Sequence, residues 1–186
     1  MSLNDIKSQL GDYAKDIKLN LGNVLSEEGA AGLTLNQIYA TALACAYATK
    51  SGAVIAAIYG EVAAVLSDAE IHAAKAAATI MGMNNIYYRF VHLVSDKEFG
   101  KLPAHLRMQV IGNPGIDKAD FELMSLAVSA INGCGMCMDA HVHEVMKGGI
   151  SRVGVQSGIR IAAVVNAAAQ AVAIEQASAG GASRAA

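Results

Sequence analysis

The sequence predicts an all-α protein, a compact multi-helix domain with no sheet. Three observations carry this. Alanine, leucine and methionine are abundant in a chain with two prolines among 186 residues, and these residue types favour helix nearly everywhere. No stretch sustains the alternation of apolar and polar residues that marks a half-buried strand. Helix-starting signals recur, among them Ser67-Asp68-Ala69-Glu70, whose Ser-x-x-Glu form is that of a capping box.

The elements follow from local patterns. Ser2 to Asp5 offers an N-cap, and Ile6, Leu10, Tyr13, Ile17 and Leu21 follow at spacings of three and four, which predicts one amphipathic helix. Leu35–Thr49 is a second helix, buried and alanine-rich, and Gly52–Leu66 a third. The helix opened by Ser67 runs to about Phe90. Residues 95–118 hold both prolines and read as a loop with one short helix around His105–Ile111. Asp117 to Asp120 opens a long helix through Ile131, which Asn132-Gly133 breaks. Cys134 begins the next helix, ending near Gly148-Gly149. Ser151 or Ser157 caps the last, to about Ala177. Residues 1–177 therefore form one domain, and 178–186, small and polar, a flexible C-terminal tail. An internal two-fold helical repeat is also expected. Ile38–Thr49 resembles Phe121–Asn132 and Ser67–Tyr88 resembles Ser151–Ala173, both at an offset of about 84 residues.

Composition narrows the function. The formal net charge is −2, so no broad attraction for nucleic acid is implied. Hydrophobic residues make up 54%, but the best apolar window, Ile159–Ile174, contains Arg160, Asn166 and Gln170, so no membrane span is expected. Residues 1–18 hold Asp5, Asp12 and Asp16 and no apolar h-region, which argues against a signal peptide and for the cytoplasm. In a reducing compartment a Cys-x-x-Cys pair reads as catalytic or metal-binding. Excess apolar helix surface points to self-association.

One cluster stands out: Cys134-Gly135-Met136-Cys137, His141 four residues later, and Glu122 twelve before the first thiol. Thiols three apart on a helix share a face and can close a small disulfide ring. The Asn-Gly break puts them in a first helical turn, where free N–H groups stabilise a thiolate. His141 lies one turn after Cys137, within reach for proton exchange. Glu122 stands in an apolar run and must find a partner. If the two helices pack side by side, a Glu–water–His–Cys relay satisfies it. A zinc-binding structural reading would add His143 as a ligand, but His141 and His143, two apart, point in nearly opposite directions on a helix. A thioredoxin-like site would need a βαβ setting. Cys45, in an alanine-rich face, reads as packing, and His72, His92 and His105 as structural or solvated.

Glu122, eleven residues, then Cys134-x-x-Cys137-x-x-x-His141 resembles the alkyl hydroperoxide reductase D family, within the carboxymuconolactone-decarboxylase-like superfamily. Tyr13–Leu21, Ile80–Asn85, Asn113–Ile116, and Phe121–Leu123 with Ala127–Cys134 also resemble family segments, and the likeness spans about residues 3–176. The resemblance implies an all-helical fold, usually a homotrimer. It implies regeneration of a partner peroxiredoxin, alkyl hydroperoxide reductase C, and a weak reduction of organic hydroperoxides by the protein itself. It implies no tightly bound cofactor, with electrons from dihydrolipoamide on a lipoylated dihydrolipoyl acyltransferase. Carried over, Cys137 becomes the sulfenic acid and forms a mixed disulfide with the partner. Cys134 closes the Cys134–Cys137 disulfide, and Glu122 and His141 form the relay. Some members carry a His between the cysteines; here that position is Met136, which cannot transfer protons. A non-redox, carboxymuconolactone-decarboxylase-like activity is the competing enzymatic reading, and the intact thiol pair argues against it.

Overall fold

Residues 2–182, described by a computed structural model, form nine α-helices and two 3-10 segments, with no strand among them. The chain begins with α1 (Leu3–Gln9), started by a capping box between Ser2 and Asp5. The single amphipathic helix expected over residues 3–21 is broken. After Leu10 turns extended, a 3-10 turn (Asp12–Ala14) leads into α2 (Lys15–Asn23). The cause lies at Gly11, whose N–H donates to Glu175 Oε1 at 3.2 Å. A Cβ there would come within 2.9 Å of the Tyr13 ring. Of the apolar positions expected on that helix, Ile6, Leu10 and Leu21 are buried and Ile17 partly so, whereas the break turns Tyr13 outward and buries Ala14 instead.

Next come α3 (Leu35–Thr49), α4 (Gly52–Val62) and α5 (Asp68–Leu93). After a connecting segment with the short α6 (Gln109–Gly112) follow α7 (Lys118–Asn132), α8 (Gly135–Lys147) and α9 (Arg152–Ala182). The two triplets repeat one plan. Thr34 and Asp117 cap the first helix of each. Both first helices end on a left-handed residue, Lys50 at φ 60° and Gly133 at φ 70°. Ser51 and Cys134 occupy the N-cap of the second helix. Ser67 caps α5 with Glu70, and Ser151 Oγ accepts the Gly154 N–H at 3.2 Å at the start of α9. Packing follows the same symmetry. α3 lies on α7, and each also packs on both α5 and α9. Leu43, Phe121, Leu123 and Leu126 fill this central layer. The expected repeat is therefore visible in element order, caps and packing. With the caps aligned, Ser51, Val54 and Ile58 stand where Cys134, Cys137 and His141 do.

Two further boundaries differ from expectation. α9 continues to Ala182 rather than ending near Ala177, because adding a residue to a long established helix is cheap and alanine favours it. Residues 183–186 of the expected tail lie outside the described residues. Between α5 and α7, a 3-10 segment (Lys97–Lys101) precedes α6, and the helix expected from His105 starts only at Gln109. Leu102, before Pro103, is held extended, and His105 adopts φ 51°, outside the helical range. By length and composition α9 could cross a bilayer over Arg152–Ala179, but half of its most apolar window is buried within the fold.

Candidate active site

The α7–α8 junction builds the site. Gly133 takes the left-handed conformation that ends α7, and the Cys134 N–H returns to Ser129 O at 3.1 Å. The chain then restarts at once, with Cys134 at the N-cap and Cys137 in the first turn of α8. The two sulfurs are joined in a disulfide, with Cα atoms 5.3 Å apart. They differ in access: Cys134 is 0% exposed and Cys137 7%. Cys45 is a free thiol inside α3, and burial pushes it well above the ordinary thiol range.

Glu122 and His141 meet across α7 and α8. His141 Nδ1 lies 2.6 Å from Glu122 Oε2, a direct contact where the sequence led us to expect an intervening water. Close packing of the two helices about the Gly133 turn removes the gap. The other carboxylate oxygen, Oε1, accepts from Lys118 Nζ at 2.6 Å. The same ammonium donates to Ile111 O at 3.2 Å, tying α6 to the site. Burial pushes the Glu122 carboxyl up, but its hydrogen bonds and charge contacts with His141 and Lys118 outweigh that and hold it below the usual glutamate range. The carboxylate is thus ionised and accepts from both partners. His141 Nε2 lies 3.2 Å from Met81 Sδ, on α5.

This arrangement carries a pH signature. A carboxylate whose native pKa is depressed binds its proton less readily folded than unfolded. Its stabilisation is complete above the unfolded value near 4.5 and is lost as pH falls through the lower native value. Chemical denaturation between pH 6 and pH 3 is expected to show this loss in the wild type and a flatter slope in Glu122→Gln. Equal slopes would mean that Glu122 gains nothing from its partners.

Cys137 and His141 line a cavity of 290 Å³ between α5, α6 and α8. Its other walls are Met81, Asn84 and Tyr88 on α5, Met108 and Ile111 near α6, and Met136 and Ala140 on α8. Met136 is 38% exposed at the rim. In the first triplet, α1 packs against α4 and α9 and covers the corresponding groove. A larger groove of 620 Å³ between α5 and the C-terminal ends of α3 and α7 includes Lys75 and Arg89 but neither thiol of the pair. His143 is not among the cavity-lining residues; it lies 3.9 Å from Glu144 and is largely exposed. Among the described residues no group of three or more His, Cys, Asp or Glu side chains is placed to hold a metal ion. His72, His92 and His105 lie outside the cavity.

Sequence patterns assign no site role to Lys118 or Asn84, and at Met81 they mark a core position, which it is, as well as a wall of the cavity. Lys118 was legible, since it stands four residues before Glu122 on one helix face. The other two reach the site through the packing of α5 on α8, which no local pattern announces.

Residues 97–179, which hold α7, α8 and most of α9, match the carboxymuconolactone decarboxylase family. Over 173 residues, 93% of this chain and 98% of the relative, the sequence is 57% identical to alkyl hydroperoxide reductase AhpD of Coxiella burnetii (strain RSA 493 / Nine Mile phase I). The chain belongs to the alkyl hydroperoxide reductase D family. Similarity of the same order extends to proteins of that name in Azorhizobium caulinodans, 52% identical over 97% of each chain. In Rhodospirillum centenum the match is 53% over 91% of this chain and 89% of the relative. The all-helical fold and the disulfide-forming pair agree with membership, and the thiols fall in the half that the family model covers.

Proposed function

We propose that this protein is an antioxidant alkyl hydroperoxide reductase that works through Cys134 and Cys137. The observation that carries this reading is the pairing of access with chemistry. Cys137 opens onto an apolar cavity beside a histidine held by an ionised glutamate, and its disulfide partner Cys134 is sealed behind it. In the reduced protein the first-turn amides of α8 favour a Cys137 thiolate, and His141, oriented by Glu122, takes and returns its proton. The thiolate attacks the terminal oxygen of a hydroperoxide. An S–O bond forms, the O–O bond breaks, and the alkoxide leaves as the alcohol after accepting a proton. The Cys134 thiol then displaces water from the Cys137 sulfenic acid and closes the disulfide.

Electrons return by thiol–disulfide exchange. The proposed donor is dihydrolipoamide on a lipoylated dihydrolipoyl acyltransferase, and the proposed client is the peroxiredoxin alkyl hydroperoxide reductase C, engaged by a transient mixed disulfide at Cys137. The greater access of Cys137 supports that choice of sulfur. The proposed setting is the cytoplasm, where a thiol pair can cycle. The proposed assembly is a homotrimer; Ile86, Phe90 and Leu93, exposed along α5, offer apolar surface for self-association. The test is to oxidise the pair and offer dihydrolipoamide, glutathione and reduced thioredoxin in turn. Dihydrolipoamide should restore two thiols fastest, and preference for another donor would overturn this part of the proposal.

Met136 bears on the balance of the two half-reactions. A histidine there could hand a proton to a departing alkoxide, whereas a thioether is only a weak acceptor. Disulfide exchange releases a thiolate, a better leaving group that depends less on an added acid. Met136→His is therefore expected to raise peroxide turnover more than dihydrolipoamide-dependent disulfide reduction. Equal change in both rates, or none, would show that Glu122 and His141 suffice.

A further inference from the structure

Two neighbouring carboxamides on α5 have opposite surroundings. Asn85 is fully engaged: its Nδ2–H donates to Ser129 Oγ at 2.8 Å, and its Oδ1 accepts from Asn132 Nδ2 at 2.9 Å. These bonds tie α5 to the end of α7, just before the thiol turn. Asn84 is 4% exposed, and its Oδ1 is buried with no hydrogen-bond partner. A buried amide oxygen without a partner costs free energy that packing alone does not return, and native proteins leave few of them. Two other buried oxygens, those of Thr41 and Ser125, are also unpartnered, but neither residue lines the thiol cavity. Asn84 does, beside Cys137 and His141.

The rest of that cavity is apolar, apart from the Tyr88 hydroxyl, which turns to Met108 Sδ at 3.8 Å. Asn84 is therefore a polar side chain in the wall of the cavity that Cys137 also lines, and its buried oxygen has no protein partner. Its chemistry matches a hydroperoxide group closely. R–O–O–H presents one O–H that needs an acceptor. On cleavage it produces one anionic oxygen that needs a donor. A carboxamide supplies both from a single side chain.

We propose that Asn84 binds the peroxide group of the substrate, a role that rests on the function proposed above. Oδ1 accepts the terminal O–H and orients that oxygen toward Cys137. Nδ2–H donates to the oxygen that leaves. The sulfur gains the OH and is oxidised to the sulfenic acid, the O–O bond is reduced, and the alkoxide takes its proton from the His141 imidazolium. The surrounding apolar walls accept the alkyl part. Because the contact is with the O–O–H unit, it serves bulky and small organic hydroperoxides alike.

The test separates the two half-reactions in Asn84→Leu, which keeps the branched shape and removes both polar atoms. Fully reduced protein is mixed with tert-butyl hydroperoxide or cumene hydroperoxide, and thiol loss is followed by stopped flow. Separately, the oxidised protein is reduced with dithiothreitol. The peroxide step should slow about 10- to 100-fold with both peroxides, the scale of one hydrogen bond to a developing charge. The dithiothreitol step should slow at least tenfold less. Asn84→Ala carries the same expectation should the leucine variant not fold. Equal slowing of both steps would mark Asn84 as a packing residue and overturn the proposal, as would no slowing. A wild type inert to both peroxides would sink the proposed function and this inference together. A reactive wild type with an equally reactive variant would sink this inference alone.

Discussion

Cys137→Ser is expected to abolish peroxide consumption and capture of a peroxiredoxin partner, the largest effect of any single substitution in this chain. Cys137 is the thiol that reaches the cavity, in the first turn of α8 and one turn before His141. Serine keeps the shape but not the nucleophile, because a hydroxyl is not ionised near neutral pH. Cys134→Ser should behave differently. Cys134 is sealed from solvent, and in the proposed mechanism it resolves rather than attacks, so its loss should let a sulfenic acid or a mixed disulfide accumulate on Cys137. Labelling with a sulfenic-acid probe after one equivalent of hydroperoxide distinguishes the two. Label on Cys137→Ser and none on Cys134→Ser would reverse the assignment.

Glu122→Gln and His141→Gln are expected to slow thiol activation by about 10- to 1000-fold, the usual scale for a positioned proton-transfer group. Glu122 sets the direction of the imidazole by accepting at Nδ1, which turns Nε2 to Met81 Sδ on the cavity wall. Glutamine at 122 loses the charge that Lys118 and His141 share. Lys118→Met should act in the same direction but more weakly, since its ammonium is about half exposed and screened by water. The measurement is the pH profile of Cys137 alkylation in reduced protein. Unchanged profiles in both Gln variants would remove the pair from the mechanism.

Most of the helices were legible because the code that starts them is local. Thr34 with Gln37 and Ser67 with Glu70 form reciprocal caps that need only a four-residue window. Gly133 ends α7 for an equally local reason. The break at Gly11 was not legible, since its partner Glu175 lies on the last helix. The thiol pair, His141 and Glu122 could be found by spacing because they sit on two consecutive helices. The place of Asn84 in the cavity wall and the contact of Met81 with His141 could not, because α5 reaches the site only through the symmetric packing of the two triplets. The repeat itself was visible as sequence likeness, but its consequence was not. The first copy has serine, valine and isoleucine where the second has its chemistry, and α1 covers it.

A single-turnover titration bears most directly on the central claim. Fully reduced protein is mixed with one equivalent of an organic hydroperoxide, free thiols are counted, and the product is mapped by mass spectrometry. The account predicts that one peroxide is consumed as two thiols disappear and that the new bond joins Cys134 to Cys137, with Cys45 left free. Peroxide consumed without loss of that pair, or a reduced pair left untouched by the peroxide, would contradict it.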